Sequence, residues 1–369
     1  MIRLLIVDDS ALMRRRLQQI FEAEGDFRLE LARNGREAIE LARRFDPDVI
    51  TLDINMPEMD GLTALSMLMA EQPRPVVMFS SLTEQGAIAS LEALALGAVD
   101  FCAKPGGTIS LNIEQISATL VAKVRTAARA RLARSTRRQA EAARPAATRG
   151  ALQPAGGDEG LVLVGASTGG PRTLEDILSQ LPADYPWPIA VAQHMPANFT
   201  RAFAQRLDGV CALHVVEVDR PLLLEAGSVY IGMGSGDLCI SRRGGRPYAL
   251  PRPESSQHLW HPSVSLLVSS ALQHYPAQQL LGVMLTGMGH DGADEMSELK
   301  RRGGHTLAES EDTAVVFGMP AELIRRGGAC QILPAHDVGA SLLSWRAGQS
   351  TPARGQRHGL DPQYPHRAG

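Results

Sequence analysis

Two groups of residues in this sequence have the types and spacing to do chemistry. In the first group, Asp8 and Asp9 directly follow the apolar run LLIV (4–7). Asp53 follows DVITL (48–52), and Lys104 follows AVDFCA (98–103). Three carboxylates brought together repel unless they share a cation, and a cluster offering only oxygen suits Mg2+. A lysine beside them can hold a phosphoryl oxygen as a point charge. The hydroxyl of Ser80, after PVVMF (75–79), could hold another. Asp8 and Asp9 taken alone read equally well as a helix cap with a solvated neighbour; the whole set does not.

The second group centres on Ser167. Gly165-Ala166-Ser167-Thr168-Gly169 fits G-x-S-x-G immediately after the run LVLVGA (161–166), and Pro171 suits the first turn of a following helix. Such a turn exposes a serine hydroxyl, and the amides at the helix start can stabilise an oxyanion. A phosphate loop is disfavoured because no Gly-Lys-Ser/Thr follows, and a dinucleotide turn because G-x-G-x-x-G spacing is missing. A serine nucleophile needs a base and the base an orienting carboxylate. Of the ten histidines, His194 ends PIAVAQH (188–194), whereas His290 and Asp291 share the glycine-rich loop TGMGHDG (286–292). His290 is the rival base, but it cannot easily use its own neighbour as orienter. The favoured set is therefore Ser167, His194 and Asp291, in a chain order unlike the Ser…Asp…His of α/β-hydrolases.

The elements that must position these residues alternate. LLIV, DVITL and PVVMF read as buried strands, with helical periods SALMRRRLQQIFEA (10–23) and GREAIELARRF (35–45) between them. That alternation predicts a parallel sheet covered on both faces, whose strand ends gather a site along one edge. The second half repeats the pattern with LVLVGAS, PIAVAQH and LLGVMLTGMG (280–289). A long helical period runs from about Ile113 to Ala143, and Lys123 to Arg149 holds nine Lys/Arg against Glu141 alone. Prolines and glycines then end any helix. The expected organisation is 1–125, a basic linker 126–159, a second domain 160–345, and an unstructured tail 346–369.

The 369 residues exceed what one core usually holds, and 44% apolar with 21% charged residues excludes global disorder. A net charge of −3 argues against a chain-wide nucleic-acid binder. No apolar stretch reaches the roughly 18 residues of a membrane helix, and the start is no signal peptide. Cys102, Cys211, Cys239 and Cys330 are scattered without C-x-x-C spacing, as reduced thiols of a cytoplasmic protein would be.

IVDDS (6–10), DINMPEMDG (53–61), FSS (79–81) and FCAKP (101–105) resemble the receiver domain of two-component response regulators. The resemblance implies a flavodoxin-like domain in which Asp53 takes a phosphoryl group from a CheA-type histidine kinase. It implies Mg2+ held by Asp8, Asp9, Asp53 and the backbone of Asn55. Ser80 and Lys104 would read the phosphoryl group, and Phe101 would be the aromatic that moves with it.

GASTGGP (165–171), QHMPANFT (193–200), TGMGHDGA (286–293) and VVFGMP (315–320) resemble the catalytic domain of the CheB family of chemotaxis methylesterases. The implied fold is a doubly wound, mostly parallel α/β esterase domain needing no cofactor. The implied reaction is hydrolysis of glutamate methyl esters on the cytoplasmic helices of methyl-accepting chemoreceptors, with deamidation of receptor glutamines as a second activity. By the same match Ser167 is nucleophile, His194 base and acid, and Asp291 orienter, while Thr168 and Met288 shape the oxyanion region. Three departures stand out: YIGMGSGDL (230–238), Ser265 where an aspartate is usual, and Trp260 where a histidine is common. They are expected at the cleft rim or the receiver contact. The rivals are a transcription regulator with an arginine-rich linker, an idle receptor-docking protein and a general esterase. The first lacks a helix-turn-helix, and the intact triad argues against the second. The general esterase would act on small soluble esters without dependence on Asp53.

Overall fold

The computed structural model describes residues 1–81, 83–104, 113–130 and 159–346. The first sheet is built from β1 (Ile2–Val7), β2 (Phe27–Ala32), β3 (Val49–Asp53), β4 (Val76–Ser80) and β5 (Asp100–Ala103). Its order is β2-β1-β3-β4-β5 and every pairing is parallel. The connecting helices are α1 (Ala11–Glu24), α2 (Gly35–Phe45), α3 (Gly61–Glu71) and α4 (Glu84–Leu96), with α5 (Ile113–Ala127) closing the unit. Ser10, Asn34, Asp60 and Thr83 each accept an amide proton at the start of α1, α2, α3 and α4, which fixes where each strand gives way to helix. Central strands covered on both faces read as unbroken apolar runs. The edge strand β2, FRLELA, alternates instead.

The second unit runs β6 (Leu161–Ala166), α6 (Gly170–Leu178), β7 (Ile189–Gln193), α7 (Ala197–Val210), β8 (His214–Val218), β9 (Leu222–Leu223) and β10 (Ser228–Gly232). It continues through β11 (Gly236–Arg243), β12 (Arg246–Pro253), α8 (Val264–His274), β13 (Leu280–Met284), α9 (Ala293–Arg301) and β14 (His305–Glu309). It ends with α10 (Met319–Arg325), β15 (Gln331–Leu333) and α11 (Ala335–Ser344). Seven strands form one parallel sheet, β15-β14-β13-β6-β7-β10-β8, and the antiparallel pairing is confined to a separate sheet, β11-β12-β9. The chain leaves β6 towards β7 on one side and returns to β13 on the other. Ser167 and the 286–292 loop therefore flank the switch point, where open α/β sheets bind ligands.

Of the helical period expected to reach Ala143, the described part is helical to Ala127, and residues 128–129 turn. The rest of the basic linker, the tail beyond residue 346 and Pro105 lie outside the described residues. The two units share one hydrophobic cluster: Leu91, Leu94 and Phe101 of the first are continuous with Leu174, Phe199 and Phe203 of the second.

Candidate active site

Ser167 and His194 are the residues that follow β6 and β7. The two strands pair in register up to Ala166 and Gln193, so the next residue of each lies side by side. The His194 amide donates to the Ala166 carbonyl at 3.0 Å, and the Ser167 amide donates to the Thr286 carbonyl at 3.0 Å, tying the serine turn to the loop after β13. Glycine is required on that loop: a Cβ at Gly287 would fall 2.7 Å from the Cβ of Ser167. Gly169 has φ 81° and caps α6, whose open N-terminus begins two residues past Thr168. Gln193 Nε2 donates to the carbonyls of Ser167 (2.9 Å) and His194 (3.1 Å), fixing both turns from beneath.

His194 Nε2 lies 2.9 Å from Asp291 Oδ2, with the two side chains only 5% and 6% exposed. Asp291 also accepts from the amides of Val264 (2.7 Å) and Ser265 (3.0 Å) and from Ser263 Oγ (3.1 Å). Burial pushes its carboxyl up, but His194 and the two α8 amides outweigh burial and bring it down to about 2. The carboxylate is thus ionised and can only accept, which puts a proton on His194 Nε2. His194 Nδ1 is buried and has no hydrogen-bond partner among the described residues. The ring is without a hydrogen bond on the side away from Asp291. His290 is exposed, and its carbonyl caps Ala293 of α9.

Sequence reasoning missed what supports this pair. Ser265, one of the departures, donates its amide to Asp291 and its hydroxyl to Glu295 (2.7 Å). Trp260 stacks on the His194 ring, centroids 5.6 Å apart. Both lie against the His194–Asp291 pair, because the turn before α8 wraps around Asp291. In the third departure, Asp237 is wholly buried and brackets the segment before α8 through Ser255, His261 and Ser263. The departures at Ser265 and Trp260 were the sequence signals for this packing.

Thr168 and Met288 are both held from the first unit. Thr168 Oγ1 donates to Asp100 Oδ2 at 2.5 Å, and Thr126 Oγ1 donates to Met288 Sδ at 3.1 Å. Lys123 steadies Asp100 from behind, its Nζ 2.9 Å from Asp100 Oδ1. Phe101 stacks on Phe199 with centroids 4.4 Å apart and planes 24° from parallel.

In the first sheet, ligand oxygens of Asp8, Asp9 and Asp53 lie within 4.8 Å of one another. Lys104 Nζ reaches Asp8 at 2.9 Å and Asp53 at 2.7 Å. Burial pushes the Asp53 carboxyl up, against the pull of Lys104. The exposed Asn55 donates its amide to Asp53 Oδ1 at 3.4 Å. Gly61 lets α3 start here, since a Cβ would sit 2.0 Å from the Asp53 carbonyl oxygen. One ammonium among three carboxylates leaves negative charge uncompensated, and a hard-oxygen set of this kind fits Mg2+. Ser80 and Phe101 are not drawn into this cluster. Ser80 Oγ donates to the Gly86 carbonyl at 2.8 Å, and Phe101 is 3% exposed against the second unit.

The family model "CheB methylesterase" matches residues 162–342, and "Response regulator receiver domain" matches residues 4–113. The chain is 53% identical to protein-glutamate methylesterase/protein-glutamine glutaminase 2 of Rhodopseudomonas palustris (strain BisB18), over 94% of this chain and 98% of the relative. It is 52% identical to protein-glutamate methylesterase/protein-glutamine glutaminase 3 of Rhodospirillum rubrum, over 94% and 96%. Among solved structures, the Thermotoga maritima CheB methylesterase catalytic domain is 36% identical with a TM-score of 0.49, covering 51% of this chain and 98% of that domain.

Proposed function

The chain belongs to the CheB methylesterase family, hydrolases of the protein-glutamate methylesterase/protein-glutamine glutaminase type that carry a receiver domain, and from that premise we propose a phosphorylation-gated ester hydrolysis run by Ser167, His194 and Asp291. The observation that carries the chemistry is the buried His194–Asp291 pair at the strand end beside Ser167. With Nε2 protonated towards Asp291, His194 Nδ1 takes the Ser167 proton as Oγ attacks the ester carbonyl. Amides at the start of α6, with the Thr168 and Met288 region, face the developing oxyanion. His194 then returns the proton to the departing methoxide, which leaves as methanol. A water, deprotonated by the same nitrogen, hydrolyses the acyl-serine to glutamate and free Ser167. An amide substrate passes through the same steps with ammonia as leaving group.

The substrate would be methylated glutamates on the cytoplasmic helices of chemoreceptors, which places the enzyme in the cytoplasm. No helix among the described residues is long and apolar enough to cross a membrane. A CheA-type histidine kinase would supply the phosphoryl group to Asp53. Asp8, Asp9, Asp53 and the Asn55 carbonyl would hold Mg2+, whose charge would offset that of the phosphoryl oxygens.

The gate is supported by Asp100 holding the hydroxyl next to the nucleophile. Asp100 and Phe101 open the strand β5 that Lys104 follows, so a pull on Lys104 acts on the strand that holds Thr168 and Phe199. A solvent-open groove of about 190 Å3 also runs along the contact, between Leu91, Leu94, Pro171, Arg172 and Phe203. A contact of this kind can be shifted by a few kcal/mol of charge redistribution.

The test is methanol release from a methylated receptor by the full chain, with and without acetyl phosphate and Mg2+. The phosphodonor should raise the rate of the wild type and leave Asp53→Asn unchanged. Equal rates with Asp53 shown to be phosphorylated would overturn the gate. A second variant reads the lock directly. Asp100→Asn weakens the charge-assisted bond to Thr168, and the unphosphorylated rate should rise about fivefold or more. An unchanged basal rate in a folded Asp100→Asn protein would mean that the contact does not restrain the site.

A further inference from the structure

The indole of Trp260 lies flat on the His194 imidazole, ring planes 12° from parallel and centroids 5.6 Å apart. The segment that bears it is rigid by construction. Asp237, at 0% exposure, accepts from the Ser255 amide (3.1 Å), His261 Nδ1 (2.9 Å) and the Ser263 amide (2.7 Å). One buried carboxylate thus pins the chain on both sides of Trp260. From the other direction the loop after β13 closes on the indole: a Cβ at Gly289 would already stand 3.4 Å from Trp260 Nε1. Leu259, the neighbouring residue, is 82% exposed, whereas Trp260 is half-buried.

His194 needs such a wall. The terminal torsion of a histidine is soft, with broad and roughly two-fold wells. The ring makes its one hydrogen bond at Nε2, since Nδ1 has no partner among the described residues, so only packing sets its plane. A single bond at one edge permits the ring to rock about that contact, and the reactive nitrogen lies on the swinging side. A flat aromatic face removes that freedom, while an aliphatic side chain of similar bulk does not present a plane. Small misplacements of a catalytic group cost rate steeply.

We infer that Trp260 is a positioning residue for the ester hydrolysis, acting through His194 by holding the plane of the imidazole while Asp291 holds its Nε2. The inference rests on the triad proposed above. It also assigns a role to a departure from the family pattern, since the position commonly holds a histidine in the resemblance noted for this segment.

The test compares Trp260→Phe, which keeps a flat face, with Trp260→Leu, which keeps apolar bulk without one. Both are assayed in the full chain by methanol release from methylated receptor under acetyl phosphate and Mg2+, with Ser167→Ala alongside. Trp260→Phe should retain kcat within about threefold, and Trp260→Leu should lose about tenfold, with KM moving less than about twofold in both. Thermal melts of the two variants should coincide; if Trp260→Leu melts below the assay temperature, Trp260→Met takes its place. Equal kcat in the flat and aliphatic variants would overturn the inference, as would a rise in KM at constant kcat, which would make Trp260 a substrate contact. An active Ser167→Ala would instead overturn the triad itself, and this inference with it.

Discussion

Ser167→Ala is expected to lower methanol release from methylated receptor by about 10⁴-fold or more, the loss typical when a triad nucleophile is removed. Residual turnover would come from binding and the oxyanion amides alone. The fold should survive, because the Ser167 hydroxyl holds no structural hydrogen bond among the described residues, while its amide and carbonyl bonds to Thr286 and Gln193 are unaffected. Receptor binding should survive for the same reason. A variant that kept more than about a hundredth of wild-type activity would exclude Ser167 as the nucleophile.

Asp291→Asn should cost nearly as much, about 10³- to 10⁴-fold in kcat, by a different route. The amide can turn its NH2 towards His194 Nε2, which then becomes the acceptor. The ring proton moves to Nδ1, and the nitrogen that should take the Ser167 proton is already occupied. The same residue carries a stability signature. Its folded carboxyl lies near 2 against an ordinary 3.8, so its stabilising contribution is complete above about pH 4 and disappears as pH falls towards 2. The melting difference between wild type and Asp291→Asn should narrow as pH falls below 4. A difference that persisted unchanged at pH 2.5 would contradict the ionised, two-amide seat of Asp291.

The strand ends were legible because central parallel strands are uninterrupted apolar runs, so the first polar residue after each run marks the edge where the candidate sites form. Asp8, Asp53, Ser167 and His194 all follow that rule. The pairing of Asp291 with His194 and not with His290 was legible for a related reason: a histidine beside Asp291 in the chain cannot easily turn its ring onto its neighbour's carboxylate. What the sequence could not reveal is side-chain packing between distant segments. Thr168 and Asp100 are 68 residues apart, and Thr126 and Met288 are 162 apart. Neither pair leaves a periodic trace. Phe101 was read as an aromatic that moves with the phosphoryl group, but no pattern in the chain foretells that its ring rests on Phe199. Ser265 and Trp260 registered only as odd residues, since their effect depends on the turn before α8 wrapping around Asp291. The edge strand β2 was missed because FRLELA lacks the apolar run that marks its neighbours.

The most direct test of the central claim is to trap the acyl-enzyme. Methylated receptor is mixed with the full chain and acetyl phosphate, quenched in acid within one turnover, and digested for mass spectrometry. The account predicts a peptide spanning Ser167 that bears the substrate's glutamyl group as an ester on the serine oxygen, formed in step with the first methanol released. Methanol release at the same rate with no adduct on Ser167, or with the adduct on another residue, would contradict it.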